Sequence, residues 1–232
     1  MNWMLTSQGQ VVHLDAPLRN PGALSIRVVA HSLACLNRYT GHAVRPVSVA
    51  EHSLLVCDIV ERELHLGVHA QLAALLHDAH ECVTNDIASP AKPLLGEAWR
   101  SYEAEWEHAM HTLYALRPAF ALYGADIRRA DLIALATERR DLMHPGGPPW
   151  PGLEGVAPLH GVNLRERDAR LAGGLRRPRP KPGREAMLSM LRTLLAQLET
   201  VTGEPHSLRY CDAICRRIAH EDSRAIGKGN LI

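Results

Sequence analysis

Residues 68–84, VHAQLAALLHDAHECVT, decide how this chain is read. At about 100° per residue, Val68, Leu72, Leu75, Leu76, Ala79, Cys82 and Val83 fall on one apolar stripe, the mark of a helix lying on a core. The opposite arc holds Ala70, Ala74, His77, Asp78 and Glu81. A solvated arc would carry Lys, Glu and Gln. Alanines beside His77, Asp78 and Glu81 predict instead that other helices approach this face closely. On such a helix His77 and Glu81 stand one turn apart and address a single point.

Working outward, helical periodicity dominates. It predicts helices over 23–37, 48–64, 97–116, 126–143 and 184–200, a short one near 163–172 and another over 207–220. Val11, Val12 and a turn signal at Gln8 and Gly9 predict one short hairpin within 3–14. β-branched alternation is otherwise scarce, so the class is all-α. Ser48 followed by Glu51 reads as a capping box, which starts the 48–64 helix and needs no other function.

Two of these helices place a polar group in an apolar stripe. His52 shares its face with Leu55, Val56 and Ile59, and Asp131 shares its face with Ile127, Leu135 and Leu142. A buried histidine alone is ordinarily a hydrogen-bonded core residue. A buried aspartate needs a partner, because an unpaired carboxylate costs several kcal/mol when desolvated. Arg128, Arg139, backbone amides or a metal could supply one. Together His52, His77, Asp78 and Asp131 make a two-histidine, two-carboxylate set suited to one divalent transition metal (Mn, Co, Zn or Fe). Such a metal can acidify water and polarise a phosphoryl group, with Glu81 placed to handle the proton.

These residues resemble the H…HD…D signature of HD-domain metal-dependent phosphohydrolases, an ordered set running from His52 through His77 and Asp78 to Asp131. The likeness is closest to the 5′-deoxynucleotidase-like branch and the related small phosphohydrolases of phages and bacteria. Asn37, Arg38 and Tyr39 resemble that branch's Asn-Arg-aromatic element, with Tyr39 standing where Trp is frequent. Residues 84–92 resemble the loop after its HD helix. The likeness covers 23–143 and implies an HD-domain helical bundle. It implies one metal on His52, His77, Asp78 and Asp131, and an attacking water positioned or deprotonated by Glu81. It further implies that Arg38 neutralises phosphate charge, a role its guanidinium fork suits. Asp86 would meet the sugar, Lys92 would stand at the phosphate entrance and Tyr39 would contact substrate. Asp126, a competitor for the fourth ligand, is more simply a residue at a helix start.

The expected activity is hydrolysis of nucleotide phosphates, deoxynucleoside 5′-phosphates first. Deoxynucleoside triphosphates, cyclic nucleotides and guanosine polyphosphates are alternatives with the same metal set. A non-catalytic nucleotide-binding regulatory module whose basic tail contacts nucleic acid and a two-iron oxygenase on the same scaffold are rivals of other classes. His65, His69 and His80 could serve a second metal, but surface or supporting roles explain them more simply. His42 reads equally well as a substrate contact or as a loop hydrogen-bonding residue. Residues 138–141, Glu-Arg-Arg-Asp, read as an ion-pair cluster ordering their helix, with lining of the pocket as the lesser alternative, and Trp99 and Trp106 read as core.

Composition agrees with a globular chain. Its 232 residues are 46% hydrophobic and 22% charged, enough for a sizeable core, and no apolar run approaches the roughly 18 residues a membrane span needs. The start lacks a signal-peptide pattern, and five cysteines at 35, 57, 82, 211 and 215 form no framework, so the cytoplasm is expected. The net charge of +1 conceals a balance of −5 over residues 1–160 and +6 over 161–232. Pro/Gly-rich stretches at 145–152 and 176–183 mark the change. A phosphohydrolase domain over 1–173, a basic Pro-rich linker over 174–183 and a helical annex over 184–232 follow. The basic tract lacks interleaved aromatics and reads as a solvated linker, not a nucleic-acid surface. Met187, Leu188, Leu191, Leu194, Leu195 and Leu198 form an apolar stripe for the main domain or for a second copy of the chain. The expected partner is a small nucleotide substrate.

Overall fold

The computed structural model describes residues 2–165 and 183–202. The expected hairpin is present. Strands β1 (Trp3–Leu5) and β2 (Val11–His13) pair antiparallel with Met4 opposite Val12. Gly9, at φ +72°, supplies the left-handed turn position, and Val12 is buried in the core.

The described structure is otherwise mostly helical. Helix α1 (Ile26–Cys35) starts where the Ser25 hydroxyl accepts from the Val28 amide at 3.3 Å. Helix α2 (Val49–Arg62) is capped by Ser48, which accepts from the Glu51 amide at 3.2 Å. The Glu51 carboxylate does not close the capping box. Arg45 clamps it with two hydrogen bonds, at 3.0 and 2.5 Å. The expected 68–84 helix is interrupted. Helix α3 (Val68–Leu75) ends in a tight turn over 76–80, and α4 (Glu81–Thr84) begins afresh.

Helix α5 (Lys92–Leu113) bends at Gly96, which has φ +76°. Helix α6 (Arg117–Leu142) begins well before residue 126, with a proline in its first turn. Asp126 is therefore interior to a helix, and a capping role at a helix start does not apply to it. Residues 164 and 165 are helical. The rest of the expected 163–172 helix, most of the basic linker, the 207–220 helix, Cys211 and Cys215 lie outside the described residues.

Two apolar clusters share α2 and α3. The first joins Val12, Val29 and Leu33 to Leu72, Leu75 and Leu76 on α3 and to Trp106 and Met110 on α5. The second joins Leu55, Val56 and Ile59 of α2 to Ala70, Ala73 and Ala74 of α3 and to Ala130 and Ala134 of α6. Helix α3 is thus covered on both sides, which explains its alanine arc: small side chains let α6 come close. Trp106 is core, whereas Trp99 is half-buried beside Tyr102.

Helix α7 (Arg184–Thr202) packs on α1, α2 and α3, and its Met187, Leu188, Leu191 and Leu194 complete the first cluster. These four residues of the stripe therefore meet the main domain, and the Leu195 and Leu198 side chains lie outside the described residues. Its entry is tight. Gly183 has φ +66°, and a Cβ there would stand 3.2 Å from Ala34 Cβ and Ala50 Cβ. Gly183→Ala is expected to cost about 1–3 kcal/mol through overpacking and strain. Thermal unfolding should register a drop of about 2–4 °C per kcal/mol for a chain of this size. An unchanged melting temperature would contradict the close approach of α7.

Candidate metal centre

The break after α3 builds half of the site. The His77 ring Nδ1 donates to the Ala74 carbonyl at 2.8 Å, capping the carbonyl end of α3 with its own side chain. A carbonyl only accepts, so this bond keeps a proton on Nδ1 and turns Nε2 inward. Unwinding also brings consecutive residues to one point, which a regular helix would splay by about 100°. His77 Nε2 lies 3.1 Å from Asp78 Oδ2. His77 and Glu81 thus do not share one helix. The turn, not helical spacing, sets their relation.

Helix α2 supplies the other histidine. His52 is buried, with Nδ1 3.0 Å from Glu138 Oε1 and Nε2 3.0 Å from Asp131 Oδ1. Its Nε2 is also 3.8 Å from Asp78 Oδ2. The ligand atoms of His52, His77 and Asp78 lie within 4.8 Å of one another, and among the described residues no other such histidine, cysteine and carboxylate group occurs. Asp131 joins through its contact with His52. It is half-buried, and its ion-pair partner is that histidine, not Arg128 or Arg139.

The donor chemistry fits a divalent transition ion. Both Nε2 atoms are buried and lack a hydrogen bond of good direction, although each has a carboxylate oxygen near 3 Å. Two imidazole nitrogens and the Asp78 carboxylate within 4.8 Å of one another are donors such an ion takes, and Asp131 stands next to them on His52. Among the other histidines, His80 is buried with Nε2 4.0 Å from Glu103 Oε1, His69 is half-buried, and His42 and His65 are exposed.

Arg38 is buried beside the cluster. Its Nη1 is 3.9 Å from Asp78 Oδ2 and its Nε 3.4 Å from Glu138 Oε2. Its backbone is pinned to the start of α2, with the Arg38 amide donating to the Val47 carbonyl at 2.8 Å and Asn37 Oδ1 accepting from the Val47 amide at 2.9 Å. Tyr39 follows in the left-handed region at φ +58° and donates its hydroxyl to Glu138 Oε2. Glu81 is buried, and its Oε2 has no hydrogen-bond partner. Asp86 is half-buried near the charges of Arg38 and Asp78. Lys92 sits on Glu103, its Nζ 2.7 Å from Oε1.

Glu138 is the residue that the ion-pair reading misplaced. Within the stretch from 138 to 141 it alone turns to the site. Arg140 pairs with Asp141, and Asp141 accepts from the Leu164 amide, fastening the 159–165 segment to α6. The available signal was spacing. Position 138 is seven residues beyond Asp131, two turns along the same helix face.

Electrostatics follow from burial. Burial and the Arg38 charge oppose protonation of His52, but the carboxylates of Glu138 and Asp131 outweigh them and lift its pKa to about 10. Burial raises the Glu81 carboxyl to about 10, with Asp78 and Asp86 adding to the shift. Burial also opposes the Glu138 charge, yet His52 and Arg38 hold its carboxyl at about 2.

These features define the class, a mostly helical protein in which His52, His77 and Asp78 form a group that could hold a metal ion, with Asp131 against His52. No family model matches the sequence. The chain is 34% identical over 164 residues to the uncharacterized protein YfdR of Escherichia coli strain K12, covering 71% of this chain and 85% of that protein. It is also 34% identical over 131 residues to an uncharacterized protein of Rhodobacter capsulatus, covering 55% of this chain and 64% of that one. The chain belongs to the YfdR family.

The raised His52 has a definite pH signature. In metal-free protein it adds stability that is complete below the unfolded histidine pKa of about 6.5 and is lost as pH rises towards about 10. Metal binding has the opposite sense, because the proton on Nε2 must leave first. Zinc affinity should therefore rise with pH. Calorimetry at pH 7 in buffers of different ionisation heat should show proton release on binding. A binding enthalpy that does not depend on the buffer would refute the arrangement.

Proposed function

We propose that this protein is a cytoplasmic, divalent-metal-dependent phosphohydrolase of HD type acting on nucleotides, deoxynucleoside 5′-phosphates first among them. The observation that carries the reading is the convergence of His52, His77 and Asp78 within 4.8 Å, with Asp131 on His52 and the buried Arg38 guanidinium 3.9 Å from Asp78. The centre would hold Mn, Co, Zn or Fe through His52, His77, Asp78 and Asp131. Such an ion supplies Lewis acidity towards water and a phosphoryl oxygen.

The chain's own residues do the rest. Arg38 has no solvent to screen it, and its fork offers paired donors to phosphate oxygens as negative charge builds up on them. Glu81 holds or takes the reaction's proton. Its buried carboxyl retains a proton in the metal-free site, and a cation on Asp78 would favour its ionised form. A poised carboxyl of this kind can accept a proton from water and return it to the leaving oxygen. Asp86 offers an acceptor to a sugar hydroxyl. Lys92 can exchange its Glu103 partner for an incoming phosphate, and Tyr39 lines the substrate side of Arg38.

The test is phosphate release from nucleoside and deoxynucleoside mono- and triphosphates, cyclic nucleotides and guanosine polyphosphates, with and without added Mn(II), Co(II) or Zn(II). Metal-dependent release, strongest for deoxynucleoside monophosphates, is expected. Glu81→Gln should lower kcat by about 10²–10⁴ with little change in KM. Arg38→Ala should lower kcat/KM. Metal-loaded protein that releases phosphate from none of the panel would end the proposal.

A further inference from the structure

We infer that Glu138 is a positioning residue that ties the metal ligand His52, by a hydrogen bond, to the phosphate-binding Arg38, by an ion pair, an inference that rests on the metal-centre reading and the proposed function above. Glu138 is 1% exposed, so its carboxylate has no water to meet it and its oxygens must be met by protein. Three groups from two other parts of the fold do so. Oε1 faces His52 Nδ1 of α2 at 3.0 Å. Oε2 receives the Tyr39 hydroxyl and lies 3.4 Å from Arg38 Nε, both from the segment after α1.

The consequence for His52 is directional. An ionised carboxylate only accepts, so the proton stays on Nδ1 and Nε2 is the atom presented to Asp78 and Asp131. Without Glu138, a neutral imidazole would carry its proton on Nε2, towards Asp131 Oδ1 at 3.0 Å. The consequence for Arg38 is conformational. Tyr39 and Thr40 both hold left-handed backbone, at φ +58° and +52°, which non-glycine residues adopt only under constraint. Tyr39 is held from two sides, through its hydroxyl on Glu138 and through its ring against Trp150 at 5.8 Å. Trp150 is in turn held by the Arg139 guanidinium, 5.4 Å from its ring centroid, while Arg139 donates to the Pro148 carbonyl. The loop that aims Arg38 and the ring that binds the metal therefore share one carboxylate.

Glu138→Gln tests this, because an amide of the same shape cannot satisfy both sides. With its oxygen on His52, the amide nitrogen faces Arg38, a donor against a donor. With its nitrogen on His52, the imidazole proton is forced to Nε2 and blocks the metal. Titration calorimetry with Zn(II) or Mn(II) should show affinity reduced by about 10–100-fold in the variant, with circular dichroism reporting its fold. A second measurement uses the unaltered protein and so survives a variant that does not fold. Nitrogen-15 NMR of the zinc-loaded protein should find the His52 proton on Nδ1 and the metal on Nε2. If the unaltered protein binds no ion, the metal-centre reading fails and takes this inference with it. If it binds and folded Glu138→Gln binds within about twofold as well, or if the metal is on Nδ1, this inference alone is overturned.

Discussion

The fold depends on one buried imidazole. His52 faces Glu138 with one nitrogen and Asp131 with the other, both carboxylates coming from α6. Taking such groups out of water costs several kcal/mol apiece unless each meets an opposite charge or a donor. The register between α2 and α6 is therefore not free to slide. A shift of one residue on either helix would leave a carboxylate or an imidazole alone in the interior. The apolar neighbours enforce the same register: Leu55, Val56 and Ile59 lie against Ile127, Ala130 and Ala134 on the faces that carry the polar groups. Hydrophobic packing supplies most of the free energy, and the polar contacts make one arrangement the permitted one.

Helix α3 works under a different limit. It is covered by the first cluster through Leu72, Leu75 and Leu76 and by the second through Ala70, Ala73 and Ala74. A helix covered on both sides cannot end in solvent, where its last carbonyls would be hydrated, so it must cap itself. The His77 ring takes the Ala74 carbonyl, and a chain that would otherwise run on as helix turns sharply where His77 and Asp78 meet. Termination of α3 and presentation of His77 are one event. Helix α7 then covers the first cluster from the far side, which is why its apolar stripe is embedded in this core.

What periodicity could and could not show follows from these contacts. Helix identity was legible because each helix has an apolar face, and the alanine arc of 68–84 correctly announced close neighbours. His52, His77 and Asp78 were legible as a group because each interrupts an apolar or small-residue pattern. The break at 76–80 was not legible. His77, Asp78 and His80 lower helix propensity only slightly, too little to mark a break, and a side-chain bond to a carbonyl accompanies it. Glu138 was hidden for another reason. Arg139, Arg140 and Asp141 follow it directly, so the stretch resembles a solvated charge run although its members point three ways. The loop carrying Trp150 was opaque as well, because its role lies in contacts with Tyr39 and Arg139 across the chain.

Several local rules are broken around the His52, His77 and Asp78 cluster, although left-handed backbone also occurs elsewhere, at Leu18, His65 and Ala115. Tyr39 and Thr40 are left-handed without being glycine, and Asn85, next to Asp86, is left-handed too. The α3 helix unwinds between them in sequence, Glu81 has a carboxyl oxygen buried without a partner, and two imidazole nitrogens point at carboxylates without good hydrogen bonds. Each of these costs free energy, of order 1–3 kcal/mol for a strained backbone or an unmet polar atom. A chain selected for stability alone could relieve them individually with glycine, with an apolar isostere of Glu81 or with a regular helix through 80. Around the cluster they gather beside the buried Arg38 guanidinium, 3.9 Å from Asp78. The surrounding α2, α3 and α6 packing is regular, and it is that regular frame which holds the irregular centre in place.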